Sequence, residues 1–259
     1  MKQALRALSI ATIIFWIIIL AFVITLVYSA MNIRIELGDH QITTTNETLT
    51  ISIPLHINNT GFYDITDLNI TTSLTNNDGT FLTYASTTVE SIPYGNGKTV
   101  FHNITVNIND MIAKSQSLLF NDTVLNFTQT FKLTLAHAVP IHLSTNQTLE
   151  WGAPLYNFTM TKPVFEPSVT PNQKATVTVS FENHSSYFNI NGTMRIQIFN
   201  DQNQLVGEAT RTLNVESHSR FEDKIELNID ATKVTEKGEV WFYFETSTFD
   251  FGPLVIPYD

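Results

Sequence analysis

From Ala7 to Ile33 the chain carries no charged side chain, and the centre of that run, Ile10 to Ile24, is almost wholly apolar. A helix rises 1.5 Å per residue, so about 20 such residues cross the roughly 30 Å hydrocarbon core of a bilayer. In lipid a single segment can satisfy its own backbone only as a helix, whatever the modest helix propensity of its isoleucines in water. Residues 7–33 are therefore expected to be a transmembrane helix whose partner is the lipid bilayer. Lys2 and Arg6 precede the run, whereas Arg34 beyond it is soon offset by Glu36 and Asp39. This bias places residues 1–6 in the cytoplasm and the remaining chain outside.

A cleaved secretory signal competes for the same residues. Tyr28-Ser29-Ala30 ends in a small residue, but Tyr28 is bulky where a cleavage site wants a small one. The run also exceeds the 7–15 apolar residues of an ordinary signal. An uncleaved signal-anchor follows. The stretch Arg6-Ala7-Leu8-Ser9 ahead of the apolar helix also resembles the processing site of archaeal type IV pilins and archaellins. That resemblance implies a cut after Ala7 and a filament subunit, although Leu8 to Ile33 lacks the acidic residue common near the start of mature pilin helices.

Beyond the anchor the apolar period is two. Leu49, Ile51, Ile53, Leu55 and Ile57 alternate with Thr50, Ser52, Pro54 and His56, the signature of a half-buried strand. The signal recurs at 68–74, 100–108, 124–135, 177–181, 194–199, 225–229 and 240–244. Turn residues lie between, as in Asn58-Asn59-Thr60-Gly61, Asn76-Asn77-Asp78-Gly79 and Tyr94-Gly95-Asn96-Gly97. Only 110–119 suggests a short helix. The fold expected is all-β, with one transmembrane helix followed by two tandem immunoglobulin-like antiparallel β-sandwich domains.

Two domains are expected because the chain parallels itself. Leu55-His56-Ile57-Asn58-Asn59 answers Val179-Ser180-Phe181-Glu182-Asn183, and Thr88-Val89-Glu90-Ser91 answers Asn214-Val215-Glu216-Ser217. Phe101 to Asn109 answers Phe221 to Asp230, and Asn121 to Val124 answers Glu236 to Val240. Trp151-Gly152 answers Phe251-Gly252; the first three pairs lie about 120–126 residues apart, the fourth 115–116 and the last 100. The reading gives a first sandwich over 34–158, a linker over 159–171 bearing Pro163, Pro167 and Pro171, and a second sandwich over 172–259. The first copy, with its Asn58-Asn59 turn and Ser91-Ile92-Pro93-Tyr94-Gly95 leading into a strand, resembles the late-embryogenesis-abundant water-stress (WHy-type) β-sandwich family. That resemblance implies a small seven-stranded sandwich, often behind a membrane anchor, with no catalytic residues.

Charged residues make up only 15% of the 259-residue chain, so the surface must be solvated by other means. Glycosylation sequons occur at Asn46, Asn58, Asn69, Asn103, Asn121, Asn126, Asn146, Asn157, Asn183 and Asn191. Residues 31–159 hold eight of them with 14 charged residues, and 160–259 hold two with 22. Glycans would solvate the first sandwich and charge the second, which agrees with an outside location. Dense sequons without cysteine point to an archaeal cell surface.

Several chemistries are excluded. A net charge of −10 offers no excess of cations to nucleic acid, and the absence of cysteine removes disulfides and thiolate sites. The seven histidines show no ligand spacing and are expected at surfaces or sheet edges. His137 and His142 differ in parity, Asp64 and Asp67 read as turn caps, and Asp122 and Asp223 have no partner motif. No catalytic, metal or cofactor site is expected. Trp241 and Tyr243 should lie on one face of a strand, with Phe242 and Phe244 on the other. The function expected is an anchored extracytoplasmic structural or interaction protein, with a surface-protein partner or self-association; the alternative is a pilin-like or archaellum-associated filament subunit.

Overall fold

The computed structural model describes residues 2–166 and 172–259. Helix α1 (Lys2–Met31) opens the chain, and its Arg6–Met31 part is long and apolar enough to cross a membrane. Inside it, the Thr12 and Thr25 hydroxyls donate to the carbonyls of Leu8 and Ala21, so neither is left bare on an apolar surface. The helix ends two residues earlier than expected. Asn32 bonds back through its side chain to Tyr28 and through its N–H to Ser29, and Ile33 already belongs to a strand. The helix also extends back to Lys2, through residues expected as a separate cytoplasmic segment.

Eight strands follow: β1 (Ile33–Leu37), β2 (Gln41–Thr45), β3 (Thr48–Asn59), β4 (Ile65–Thr75), β5 (Phe81–Ile92), β6 (Asn96–Asn107), β7 (Thr123–Leu135) and β8 (Val139–Trp151). β3 pairs with β6 on one side; on its other side it pairs with β1 along 55–59 and β2 along 48–52. The facing sheet has the order β5-β4-β7-β8, all antiparallel. Leu49, Ile51, Ile53, Leu55 and Ile57 are buried between the sheets, as the period of two requires, and His56 is exposed. Helices α2 (Ile108–Lys114) and α3 (Ser117–Phe120) fill the β6–β7 connection, close to the short helix expected there. The Asn107 side chain caps the first by accepting the Asp110 N–H.

The remaining strands are β9 (Tyr156–Met160), β10 (Val164–Phe165), β11 (Asn172–Asn183), β12 (Ile190–Asn200), β13 (Leu205–Val215), β14 (Ser219–Asp230), β15 (Gly238–Thr246) and β16 (Asp250–Tyr258). β9 and β10 share one edge of β11, which pairs with β14 on its other side; the second layer runs β13-β12-β15-β16. The layers join where β13 meets β14 at Gly207 and Glu208. Strand for strand, this is the order of the first sandwich. It also corrects the expected linker: Tyr156–Met160 and Val164–Phe165 are edge strands of the second sandwich, while the 167–171 part of that linker lies outside the described residues.

The pairing fixes the correspondence between copies. Each β4-type hairpin has its bulge at the same place, so Leu74 answers Ile198 and Asn76 answers Asn200, 124 positions apart. By the same route Leu55 and Ile57 answer Val179 and Phe181, all buried. The other four expected pairs fall out of this register. Val89 answers Leu213 rather than Val215, and Val240 answers Phe127 rather than Val124. Phe101 sits opposite Pro54 on the outer face and Phe221 opposite Phe181, so Phe101 answers Lys224 instead. Trp151 ends β8, whereas Phe251 lies near the start of β16. The spacing shortens to 113 by the time Phe127 answers Val240. The cause is the β6–β7 connection, where α2 and α3 stand against one 310 turn (Ala231–Lys233) in the second copy.

The cores differ chemically. His102, expected at a surface or edge, is buried in the first sandwich, its two ring nitrogens bonded to the hydroxyls of Thr87 (2.8 Å) and Thr72 (2.9 Å). Burial holds its pKa below the ordinary value, so the ring is neutral at pH 7. Ile225 and Phe242 occupy the matching places of His102 and the buried Gln129 in the second sandwich. Phe242 and Phe244 are buried and Trp241 and Tyr243 half-buried, as alternation required.

Candidate interaction site at the junction of the sandwiches

The sandwiches meet at the end of β2, the segment from α3 to β7, the end of β8 and the turn after β11. Trp151 is 1% exposed, donates its indole N–H to the Leu118 carbonyl (2.8 Å), and lies beside Tyr187 and Phe188 of the second sandwich. Backbone bonds cross as well, from His184 N–H to the Ala153 carbonyl and from Leu155 N–H to Leu119. Thr44 donates to the Tyr187 carbonyl, the Tyr187 hydroxyl donates to the Glu150 carbonyl, and Phe120 packs edge-on against Phe251. Gly152 is required: a Cβ there would overlap the backbone carbonyl of His184.

Beside this seam opens a cleft of about 570 Å3 lined by Asp122, Glu150, Trp151, His184, Tyr187 and His218, among others. His184 bridges its walls. Nδ1 lies 2.8 Å from Asp122 of the first sandwich, Nε2 lies 3.1 Å from Glu182 of β11, and the ring stacks on Tyr156 at 4.1 Å. Partial burial alone would lower its pKa, but the hydrogen bonds and charges of Asp122 and Glu182 outweigh that and raise it. A raised pKa contributes stability that is full below the unfolded value of about 6.5 and is lost as pH rises through the folded value. Stability, read as the thermal midpoint, should therefore fall as pH rises through that raised value, with a loss of no more than about 1 kcal/mol for so solvated a cluster. His184→Gln should flatten that dependence; an unchanged profile would remove the bridge from the account.

Ser186 Oγ lies 3.1 Å from His218 Nε2, the outline of a nucleophile and base. Among the described residues no carboxylate orients the other nitrogen of His218, and Asp122 is engaged by His184 and the Ala153 N–H. Asp122 and His184 are 62 positions apart, so sequence spacing held no sign of the pair. His137 sits in the β7–β8 turn and His142 on β8, not together, while Asp64 accepts the Tyr94 N–H as a turn cap.

Of the sequon asparagines, Asn46, Asn58, Asn103, Asn121, Asn146, Asn157 and Asn191 are exposed, and Asn69 and Asn126 half-buried. Asn183 departs from expectation. It is fully buried, its amide donating to the carbonyls of Phe188, Val215 and Glu216 while its oxygen accepts the Ser185 N–H. A glycan cannot attach to that nitrogen in this fold. Asn59, 124 positions earlier, makes the equivalent staple to Tyr63 and Ile92, so the Asn183 sequon reflects a structural asparagine followed by a serine.

No protein-family model matches the chain, and no curated protein does. Solved structures give remote likenesses. A red sea bream transglutaminase aligns at TM-score 0.33 and 12% identity, over 88% of this chain and 31% of that one. The BSP domain of a biofilm associated protein aligns at 0.31 and 11%, over 88% and 51%. A glycosyl hydrolase family 2 member from Bacteroides cellulosilyticus aligns at 0.31 and 9%, over 81% and 28%. The chain thus spans about half or less of the length of each.

Proposed function

We propose that this protein is a single-pass, membrane-anchored surface protein whose two sandwiches form one stiff extracytoplasmic unit that presents an interaction surface and performs no catalysis. One observation carries the reading: an apolar helix passes through a single residue, Asn32, into a sandwich that is itself fastened to a second through the buried Trp151. Such continuity suits a stalk, because it holds the distal loops at a fixed place relative to the bilayer. The N-terminus is cytoplasmic, by the bias of Lys2 and Arg6. Glycans on the exposed sequons solvate the outer faces of the first sandwich, where threonine and asparagine stand in place of charge. The cleft beside His184 and the sheet edges are the surfaces offered to a protein partner or a second copy. Among the described residues no acid orients the Ser186–His218 pair, which favours binding over hydrolysis. The two sandwiches descend from a tandem duplication, the first of WHy type, on an archaeal cell surface.

Intact-mass measurement of protein extracted from membranes tests the anchor. A chain retaining Lys2 and Arg6 is expected. A mature chain beginning at Leu8 would assign it instead to the filament subunits that Arg6-Ala7-Leu8-Ser9 resembles.

A further inference from the structure

The outer end of α1 does not stand free of the first sandwich. The β3–β4 turn, Thr60 to Asp64, is laid along it. Ser29 is fully buried and its hydroxyl accepts the Phe62 N–H at 2.6 Å, the Tyr63 hydroxyl meets that of Thr25 at 2.7 Å, and the Tyr63 ring packs edge-on against Phe22. Phe62 stacks on Tyr28 at 4.9 Å, and both rings remain open on their outer sides. Gly61 permits the approach, since a Cβ there would come within 2.8 Å of the Ser29 Cα.

Depth along the helix says where this turn lies. With Arg6 at the inner headgroups, Phe22 is about 24 Å along the axis, inside the roughly 30 Å hydrocarbon core, and Tyr28 about 33 Å, at the outer interface. A ring packed on Phe22 and a ring stacked on Tyr28 must share those depths. The same end of the sandwich presents Tyr94, 64% exposed on the β5–β6 turn, whose N–H is held by Asp64, and the cation Arg34 on β1. Aromatic rings with one apolar and one polar aspect, together with a cation, are what the headgroup layer of a bilayer accommodates.

We infer that the Phe62–Tyr63 turn, with Tyr94 beside it, is a second membrane contact: the base of the first sandwich is seated in the outer leaflet, Tyr63 reaching acyl chains and Phe62 and Tyr94 the headgroup boundary. The occupant of this exposed aromatic patch is the same bilayer that α1 spans, so the inference rests on the anchor reading. Its consequence is orientation. A sandwich held by the helix and by a wedge in the leaflet cannot swing about Asn32, and the distal sandwich is aimed away from the membrane.

The chain has no cysteine, so single substitutions can be labelled cleanly. Full-length protein in phosphatidylcholine–phosphatidylglycerol nanodiscs would carry a nitroxide at Phe62→Cys, Tyr94→Cys, Ile17→Cys or Gln202→Cys, with collision rates measured for oxygen and for an aqueous nickel chelate. Ile17 should report the bilayer interior and Gln202 water. Phe62 and Tyr94 should report the interface, with nickel accessibility at least several-fold below that at Gln202 and with quenching by lipids labelled near the headgroup. Nickel accessibility at Phe62 equal to that at Gln202, with Ile17 in lipid, overturns the inference and leaves the anchor intact. Shielding from nickel without contact to labelled lipid overturns it in favour of a protein contact. Aqueous exposure at Ile17 overturns the anchor reading and the inference together.

Discussion

Trp151→Ala should cost about 3–5 kcal/mol, the range for emptying a large buried aromatic site. The indole is 1% exposed, and its loss leaves the Leu118 carbonyl without its donor and opens a void facing Tyr187 and Phe188. Trp151→Phe should recover most of the packing but not the hydrogen bond, leaving a penalty of about 1–3 kcal/mol. Gly152→Ala tests the same seam by addition, since its Cβ would overlap the His184 carbonyl. There the sandwiches should uncouple, so that urea unfolding, expected as one transition in the parent, becomes two. A single transition of unchanged midpoint in Gly152→Ala would show that the sandwiches are not fastened at this point.

Phe181→Ala should cost a similar 3–5 kcal/mol. Phe181 is fully buried on β11, and its ring meets those of Phe158, Phe221 and Phe244 at 5.0–6.3 Å, each pair adding to simple area burial. Its counterpart Ile57→Ala should cost about 2–5 kcal/mol in the first sandwich. His56 and Ser180, one residue before each and on the outer side, should tolerate alanine within about 0.5 kcal/mol. Urea midpoints for the four variants decide it; equal penalties at Ser180 and Phe181 would mean that the alternation does not sort core from surface.

The strands and the repeat were legible because a sheet with one buried face repeats every two residues, and both copies keep that pattern through Leu49–Ile57 and Val177–Phe181. Register was not legible, since matching aromatic letters does not count hydrogen bonds: Phe101 and Phe221 look alike, but the ladder sets Phe101 against Lys224. His102 was readable, because it has the core parity of Val100, Ile104 and Val106, but its chemistry suggested a surface. The short edge strands β9 and β10 were hidden among prolines. Asn183 was misread because a sequon states only local chemistry, and its burial comes from carbonyls on β13 and the turn that follows it. The Asp122–His184 bridge and the seating of Phe62 on α1 join residues far apart in the chain, which no spacing rule reaches.

In the proposed topology both sandwiches stand outside a membrane on an uncleaved helix. Protease applied to intact cells expressing the full chain, tagged at either terminus, tests it most directly. The tag after Asp259 should be removed, and the tag before Lys2 should stay protected until the membrane is opened. Removal of the N-terminal tag with protection of the C-terminal one would contradict that topology.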